Sequence, residues 1–220
     1  MEEDGAPGAE AVEAAAFVLS LRALGMRDKA VLGAMERVPR DLFAPRRYRD
    51  LARSDVALPL PCGQTMTAPS VVASMLTALG LKAGQRVLEV GTGSGYVTAL
   101  LHRMGAAELV TVERYATLAA EAAARFEVAG LDGVRAEIGD GLVEGEGEVD
   151  RVLVNGTLTE LPAALAARLS ATGRLVAALL TAGLPRLLVL ERDPETGLLR
   201  QRLAGSLRLP RLAAGRASAL

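Results

Sequence analysis

Short apolar runs alternate with segments of helical hydrophobic spacing through much of the chain after residue 85. Short runs bounded by glycine or charged residues are typical of buried strands, and the longer segments between them are typical of helices. The predicted strands lie at 86–90, 108–112, 134–138, 150–154 and 173–180. The predicted helices lie at 95–104, 116–129 and 162–169. This alternation predicts an α/β fold, with a mostly parallel sheet and helices on both of its faces.

The end of the predicted sheet has a different pattern. Residues 187–192 and 198–203 are two further predicted strands, joined by the turn at 193–197 without a helix between them. Strands joined by a short turn pair antiparallel, so we expect a seven-stranded sheet with an antiparallel strand at its edge. Pro210 and the small residues after it predict a frayed terminus.

The chain before the sheet is predicted to be a tail followed by extra N-terminal helices. Gly5, Pro7 and Gly8 indicate a flexible tail over residues 1–8. Proline and glycine interrupt the helical pattern once more, before the last helix that leads into the sheet. The helices are predicted at 9–24, 29–38 and 70–79, and the loop at 55–69.

Length and composition favour one domain. The chain has 220 residues, of which 50% are hydrophobic, enough for a single core. We expect this domain to cover residues 9–220, with the N-terminal helices and an active-site loop in 9–80 and a cofactor-binding sheet core in 81–212.

A glycine-rich turn follows the first predicted strand. Gly91, Gly93 and Gly95 form G-x-G-x-G directly after an apolar run that contains Glu89. Glycine permits positive φ and a close approach of ligand to backbone, and the helix that follows directs free N–H groups toward the turn. The spacing fits neither the dinucleotide pattern G-x-G-x-x-G nor the phosphate-binding loop, which ends in Gly-Lys-Ser/Thr. The turn therefore predicts a small-molecule site of another kind, in which the carboxylate of Glu89 suits an amino group or a cation.

Acidic residues mark the ends of three predicted strands. Glu89 lies on the first, Glu113 ends the second, and Asp140 follows the third in Gly139-Asp140-Gly141. The carboxyl ends of parallel strands meet at one edge of the sheet, where such folds bind ligands, and an acid in the place of Glu113 is suited to ribose hydroxyls.

Each feature also has a simpler explanation. The glycine turn could be only a strand-to-helix connection, Glu113 a solvated acid at a helix N-terminus, and Asp140 a turn residue. Their joint occurrence, in order, at three strand ends favours a cofactor site.

Charge and residue usage argue against several classes of function. With 25 basic and 26 acidic side chains the net charge is -1, which argues against an overall attraction to nucleic acid or an anionic membrane. Cys62 is the only cysteine and His102 the only histidine, so we expect no disulfide, no metal site and no Cys-His or Ser-His-Asp hydrolase. The acidic N-terminus and the lack of a long apolar run predict a cytoplasmic protein without a membrane span.

The segment at 58–69 carries a more specific signal. Its sequence, L-P-L-P-C-G-Q-T-M-T-A-P, closely resembles the L-P-x-G-x-G-Q-T-I-S-x-P pattern of protein-L-isoaspartate O-methyltransferases, with Gly63-Gln64-Thr65 in register with the second half. Upstream, 37–43 matches the family's R-V-P-R-x-x-F. Further matches are Val112-Glu113-Arg114, Gly139-Asp140-Gly141 and Glu160-Leu161-Pro162. The resemblance covers about residues 30–212.

The resemblance implies a Rossmann-like class I methyltransferase fold and S-adenosyl-L-methionine as the cofactor. Gly91, Gly93 and Gly95 would hold its methionine portion, Glu113 and the adjacent Arg114 its ribose side, and Asp140 with Gly141 its adenine end. Gln64 and Thr65, in the loop that ends at Thr67, would cover the sulfonium.

Thr67 occupies the position of the family's active-site serine. Threonine keeps the hydroxyl but adds a methyl group that is stiff at χ1. A simpler role for Thr67 is the N-cap of the helix predicted at 70–79.

Two loops depart from the family's pattern. The family's T-A-A-x-P-E-I-P is replaced by 155–162, and its P-V-G and a nearby glutamine by 178–180 and 184–186. We expect these loops to face the substrate more than the cofactor.

The resemblance implies methylation of the free carboxylate of isoaspartyl residues in damaged proteins. A carboxylate is already ionised at neutral pH, so the reaction requires no general base and suits a chain with one histidine. The alternatives are a divergent paralogue that methylates another carboxylate, a small molecule or RNA, and a cofactor-binding module without this activity. A NAD-dependent oxidoreductase ranks last because the glycine spacing is wrong. The sequence leaves the oligomeric state open.

Overall fold

The computed structural model describes residues 8–143 and 145–217. Within them, a small hairpin precedes a seven-stranded sheet. The strands are β1 (Leu58–Pro59), β2 (Thr65–Met66), β3 (Arg86–Val90), β4 (Glu108–Glu113), β5 (Val134–Ile138), β6 (Val149–Leu158), β7 (Leu169–Thr181), β8 (Leu184–Arg192) and β9 (Leu199–Ser206). The helices are α1 (Ala9–Ala23), α2 (Lys29–Arg37), α3 (Arg40–Phe43), α4 (Pro69–Leu79), α5 (Tyr96–Arg103), α6 (Ala116–Ala129) and α7 (Ala163–Ala167), with 3-10 turns at Arg46–Leu51 and Pro61–Gly63.

The large sheet has the order β5-β4-β3-β6-β7-β8-β9. All pairs from β5 to β7 are parallel, whereas β8 pairs antiparallel with both β7 and β9. The predicted parallel sheet and its antiparallel edge hairpin are confirmed. In register, Val90 is opposite Val112, and Glu113 is opposite Ile138. The segments that follow β3, β4 and β5 therefore leave the sheet at the same edge.

Apolar side chains cover both faces of the sheet and form one hydrophobic cluster on each face, of different size. On one face Val87, Leu109 and Leu153 pack with α1, α2, α4, α5 and α6 in the larger of two clusters. On the other face Leu88 and Val154 pack beside α7. Because side chains alternate along a strand, Glu89 projects to the side that α5 covers.

Aspartate side chains cap two of the helices that precede the large sheet. Asp28 caps α2 by accepting hydrogen bonds from the N–H groups of Ala30 and Val31 at 2.9 and 3.1 Å. The N-terminus of α4 is capped by a residue from the preceding loop, because Asp55 accepts a hydrogen bond from the N–H of Ser70 at 2.8 Å. None of the helices in the described ranges is long and apolar enough to span a bilayer.

The predicted frayed terminus after Pro210 is wrong for the described part of it. Thr157 donates its N–H to the Pro210 carbonyl at 2.7 Å, and its own carbonyl accepts from the N–H of Leu212 at 3.0 Å. Backbone hydrogen bonds, which a composition rich in small residues does not reveal, fix this segment across the ends of the strands. The predicted flexible tail lies outside the described residues except for Gly8, so its flexibility stays a prediction. The division of the chain into a tail and one domain also stays a prediction.

Candidate active site

A cavity opens at the edge of the sheet where β3, β4 and β5 end. It encloses about 930 Å³ of empty space, counting the solvent at its mouth. Its wall combines the loop before α4, the glycine turn, the ends of β4, β5 and β6, and the C-terminal segment. The polar and charged side chains in this wall are Gln64, Thr65, Thr67, Thr92, Ser94, Tyr96, Glu113, Arg114, Tyr115, Asp140, Asn155 and Arg211.

Two glycines of the turn shape the cavity floor. Gly91 and Gly93 have φ of 91° and 55°, in the left-handed region that favours glycine. A Cβ on Gly93 would come no closer than 3.7 Å to another group, the Leu60 side chain. The space beside its backbone is therefore free for a ligand.

Gly95 does not line the cavity. Its φ is 86°, and a Cβ there would lie 2.6 Å from the Phe126 ring of α6. The direct ligand contact expected of Gly95 is thus replaced by a packing role, because α6 needs this close approach to the start of α5.

Glu113 connects β4 to the glycine turn. Its Oε2 accepts from the N–H of Gly93 at 2.9 Å, and its Oε1 accepts from the N–H of Tyr115 at 3.0 Å. Each carboxylate oxygen can accept more than one hydrogen bond, so Glu113 retains acceptor capacity toward the cavity.

Asp140 and Gly141 lie in the wall at the end of β5. Asp140 is 8% exposed, and its Oδ1 accepts from the N–H of Leu142 at 3.0 Å. Gly141 packs so tightly that a Cβ would lie 2.9 Å from a methyl group of Val90. Arg114 also lines the cavity, with its guanidinium carbon 5.0 Å from the centre of the Tyr115 ring.

Glu89, in contrast, lies beneath the turn and outside the cavity wall. The side chain is fully buried and accepts hydrogen bonds from the hydroxyls of Thr98 and Thr111 at 2.5 and 2.8 Å. Asn155 Nδ2 donates to its other oxygen at 2.6 Å. The expected ligand contact of Glu89 is therefore wrong in this structure, since the carboxylate lies inside β3 with its partners on α5, β4 and β6.

Burial raises the pKa of Glu89 to about 7, and the three donated hydrogen bonds oppose that rise. Asn155 also donates to the Gly91 carbonyl at 2.9 Å, so both amide hydrogens are used and its side-chain oxygen is left as an acceptor. The buried network thus holds the glycine turn against β6.

Thr67 lies in the wall and does not cap α4. The N-cap residue is Ala68, which has no side-chain hydrogen bond, and the capping carboxylate comes from Asp55. The Thr67 carbonyl accepts from Nη2 of the buried Arg40 at 2.9 Å. Among the described residues its hydroxyl has no hydrogen-bond partner, so the hydroxyl is available to a ligand.

The geometry can be compared with known proteins. Residues 12–205 match the family model of protein-L-isoaspartate(D-aspartate) O-methyltransferase. A protein-L-isoaspartate O-methyltransferase from Azorhizobium caulinodans is 49% identical over 180 residues, which cover 81% of each chain. Another from Xanthobacter autotrophicus is 51% identical over 169 residues, covering 76% of this chain and 77% of the relative. The chain belongs to the protein-L-isoaspartate O-methyltransferase family.

Solved structures share the fold at lower identity. A protein-L-isoaspartate O-methyltransferase matches with a TM-score of 0.79 and 23% identity over 91% of this chain, which spans 66%, just under two thirds, of that solved chain. A Plasmodium falciparum protein, crystallised with S-adenosyl-L-homocysteine, matches with a TM-score of 0.78 and 20% identity, over 90% of this chain and 97% of its own. At these identities the likeness establishes the methyltransferase fold.

Only one of the two loops that depart from the family's pattern reaches the cavity. Asn155 lines it, whereas residues 178–186 form the β7–β8 hairpin and are absent from the described wall. Because β7 runs parallel to β3–β6, this hairpin follows β7 at the same edge of the sheet as the ends of β3 to β5, outside the described cavity wall. That it faces the substrate stays a prediction.

The C-terminal segment contributes wall residues that the sequence did not predict. Residues 210–213 line the cavity. Beyond them, the Gly215 N–H donates to Asp140 Oδ2 at 2.6 Å, and Arg114 Nε donates to the Gly215 carbonyl at 2.9 Å. The only signal in the sequence was Pro210 after the last strand. A proline there indicates that the strand ends and the chain turns, but it does not show where the chain goes.

Proposed function

We propose that this chain transfers a methyl group from S-adenosyl-L-methionine to the free carboxylate of isoaspartyl residues in damaged proteins. One observation carries the proposal: in a member of this family, the Thr67 loop, the glycine turn, Glu113 and Asp140 meet in one cavity wall. The sequence places these groups up to 76 positions apart.

The wall fits the proposed cofactor. The open backbone at Gly93 and the positive φ of Gly91 leave a cradle for the methionine portion. Glu113 would accept hydrogen bonds from the ribose hydroxyls, and Asp140, with Gly141 and Leu142 beside it, would hold the adenine end. Arg114, Gln64 and Thr65 complete the proposed cofactor-binding residues. When bound, S-adenosyl-L-methionine supplies a methyl group made electrophilic by the sulfonium.

The chain's own task is to align the acceptor and exclude water. An isoaspartyl carboxylate is ionised at neutral pH, so no side chain has to remove a proton. We assign the Thr67 hydroxyl to donate a hydrogen bond that orients this carboxylate, while residues 64–67 shield it from solvent. Orientation of this kind can lower a barrier by about 7 to 11 kcal/mol.

The proposal includes a protein acceptor and a cytoplasmic location. A net charge of -1 supports a protein rather than an RNA acceptor. The single cysteine, which excludes an internal disulfide, is consistent with a reducing compartment.

The test is transfer of labelled methyl from S-adenosyl-L-methionine to a peptide that contains isoaspartate, with the aspartate form of the same peptide as the control. We expect label on the isoaspartyl peptide alone, released as a volatile product in base because a methyl ester hydrolyses. Cofactor binding without transfer to this peptide would reject isoaspartate as the acceptor and direct the search to other carboxylates, small molecules and RNA.

A further inference from the structure

The cavity wall carries four charged side chains, which differ in whether they already have hydrogen-bond partners in the protein. Glu113 and Asp140 are the acids that we assign to the cofactor. Arg114 donates to the Gly215 carbonyl and to the Tyr115 hydroxyl, at 2.9 and 3.3 Å. Arg211 completes the set. Across residues 8–143 and 145–217, no hydrogen bond or ion pair engages its guanidinium.

The backbone of Arg211 is fixed even though its side chain has no partner. It forms a parallel bridge with Thr157, a residue that is 1% exposed. The Thr157 hydroxyl also donates to the Leu209 carbonyl at 2.8 Å, so three hydrogen bonds of Thr157 anchor residues 209–212. The arginine therefore projects from a rigid wall that it shares with Thr67.

We propose that Arg211 is a specificity-determining residue that binds the carboxylate of the substrate. The inference rests on the proposed function, in which the acceptor is an anion. A guanidinium matches a carboxylate with two parallel hydrogen bonds, and Arg211 is exposed, so its guanidinium is accessible to such a group. Neutral side chains of similar shape, such as asparagine, would gain no such pair.

The same charge separates substrate from product. In the transfer, a lone pair of the carboxylate oxygen forms the new O–C bond and the electrons of the S–C bond return to sulfur, so the anion and the sulfonium both become neutral. The methyl ester then offers Arg211 no charge, and its release is favoured.

The loss of charge also determines which kinetic constant Arg211 affects. Since the carboxylate is most negative before the reaction, the arginine stabilises the bound substrate at least as much as the transition state. It should therefore lower KM for the peptide without raising kcat.

The experiment uses the full chain loaded with S-adenosyl-L-homocysteine and a pair of peptides, one with the isoaspartyl carboxylate free and one with its methyl ester. Calorimetry gives the affinity of each peptide for wild type, Arg211→Met and Arg211→Lys. Arg208→Met is the matched control, because Arg208 is exposed on the same segment but lies outside the cavity wall. The same proteins are assayed for methyl transfer.

We expect wild type and Arg208→Met to prefer the free carboxylate by about tenfold or more, and Arg211→Met to lose this preference. In turnover, Arg211→Met should raise the peptide KM about tenfold with kcat within about twofold, and Arg211→Lys should lie between it and wild type. Affinity for S-adenosyl-L-homocysteine should not change.

Three results would overturn the inference while leaving the proposed function intact. They are an unchanged preference and KM in Arg211→Met, an equal loss in Arg208→Met, and a loss of S-adenosyl-L-homocysteine affinity that accounts for the whole effect. A wild-type protein that neither binds nor methylates the isoaspartyl peptide would instead reject the proposed function and this inference together.

Discussion

The backbone N–H of Gly215 donates a hydrogen bond to Oδ2 of Asp140 at 2.6 Å, across 75 positions of sequence. Because the N–H of Leu142 binds the other oxygen, the carboxylate is held from both sides. The N–H of Ala217 adds a hydrogen bond to the Arg114 carbonyl at 3.2 Å. The C-terminal segment thus orients an acid that we assign to the cofactor.

Ending the chain after Ala213, which keeps all of the C-terminal wall residues, should therefore weaken binding of S-adenosyl-L-homocysteine by about tenfold, since a hydrogen bond to a charged group contributes about 1.5 to 3 kcal/mol. Calorimetric titration measures this change. A chain that ends after Ala217 keeps all of these contacts and is the control. Equal affinities in the two shortened chains would show that the segment does not support the site.

Thr67→Val removes the hydroxyl but keeps the shape of the side chain. We expect kcat/KM for an isoaspartyl peptide to fall about 10- to 100-fold, because a hydrogen bond to the reacting carboxylate is lost. Thr67→Ser, which keeps the hydroxyl, should retain activity. Initial rates with saturating cofactor provide the measurement, and a fully active Thr67→Val would assign the alignment of the carboxylate to another group.

Glu89 should make stability depend on pH. Burial raises its pKa from 4.5 to about 7, so the folded chain keeps a proton that the unfolded chain releases. The free energy of unfolding should therefore fall as pH rises from about 4.5 to about 7, by about 3 kcal/mol from this group, and then level off.

The measurement is urea denaturation of wild type and Glu89→Gln at pH ~5 and ~8, with other groups cancelling in the difference. Glu89→Gln cannot ionise, so the stability of wild type relative to this variant should be lower at the higher pH. A constant difference between the two proteins would contradict the shifted pKa.

Arg40 should stabilise the fold below the Thr67 loop. It is 2% exposed and donates to the carbonyls of Ala52, Val56 and Thr67 at 2.5, 3.3 and 2.9 Å. Arg40→Met would leave these carbonyls without their donor, so we expect the free energy of unfolding to fall by about 3 kcal/mol. Chemical denaturation checks this, with the exposed Arg208→Met as a comparison; equal stability in both variants would refute the role.

Two glycines of the turn should have different roles, Gly95 in packing and Gly93 in cofactor binding. Gly95→Ala would place a Cβ 2.6 Å from the Phe126 ring, so it should lower the free energy of unfolding by about 3 kcal/mol. Gly93→Ala meets no such contact, and its strain at positive φ should cost only about 1 to 2 kcal/mol. Cofactor affinity should show the reverse order, with the larger loss in Gly93→Ala. Thermal unfolding and calorimetry of the two variants test both parts.

The sequence allowed the sheet and much of the cavity wall to be predicted. Parallel strands bring their carboxyl ends to one edge, so Glu113 and Asp140 could be placed there from pattern alone. The lining position of Thr67 came from a motif rather than from periodicity. The same reasoning failed for Glu89, because a residue one position before the end of β3 projects from a face of the sheet, and only the packing of α5 shows that this face is closed.

The C-terminal segment was beyond sequence reasoning for a different reason. Its contacts with Thr157, Asp140 and Arg114 are made largely by backbone atoms, and they join positions 53 to 103 residues apart. Backbone partners leave no mark on residue type, so small residues after Pro210 looked like those of a free end. The uncommitted charge of Arg211 also became visible only when its neighbours were known.

The late position of residues 210–217 in the chain has a consequence for synthesis. A ribosome releases residues 64–141, which supply most of the wall, before the segment that lies across it. Domains can begin to fold while they are being made. A nascent chain that has already paired β3, β4 and β5 would therefore have a cavity that is open on one side. The ligand site would be complete only when residues 210–217 have left the exit tunnel.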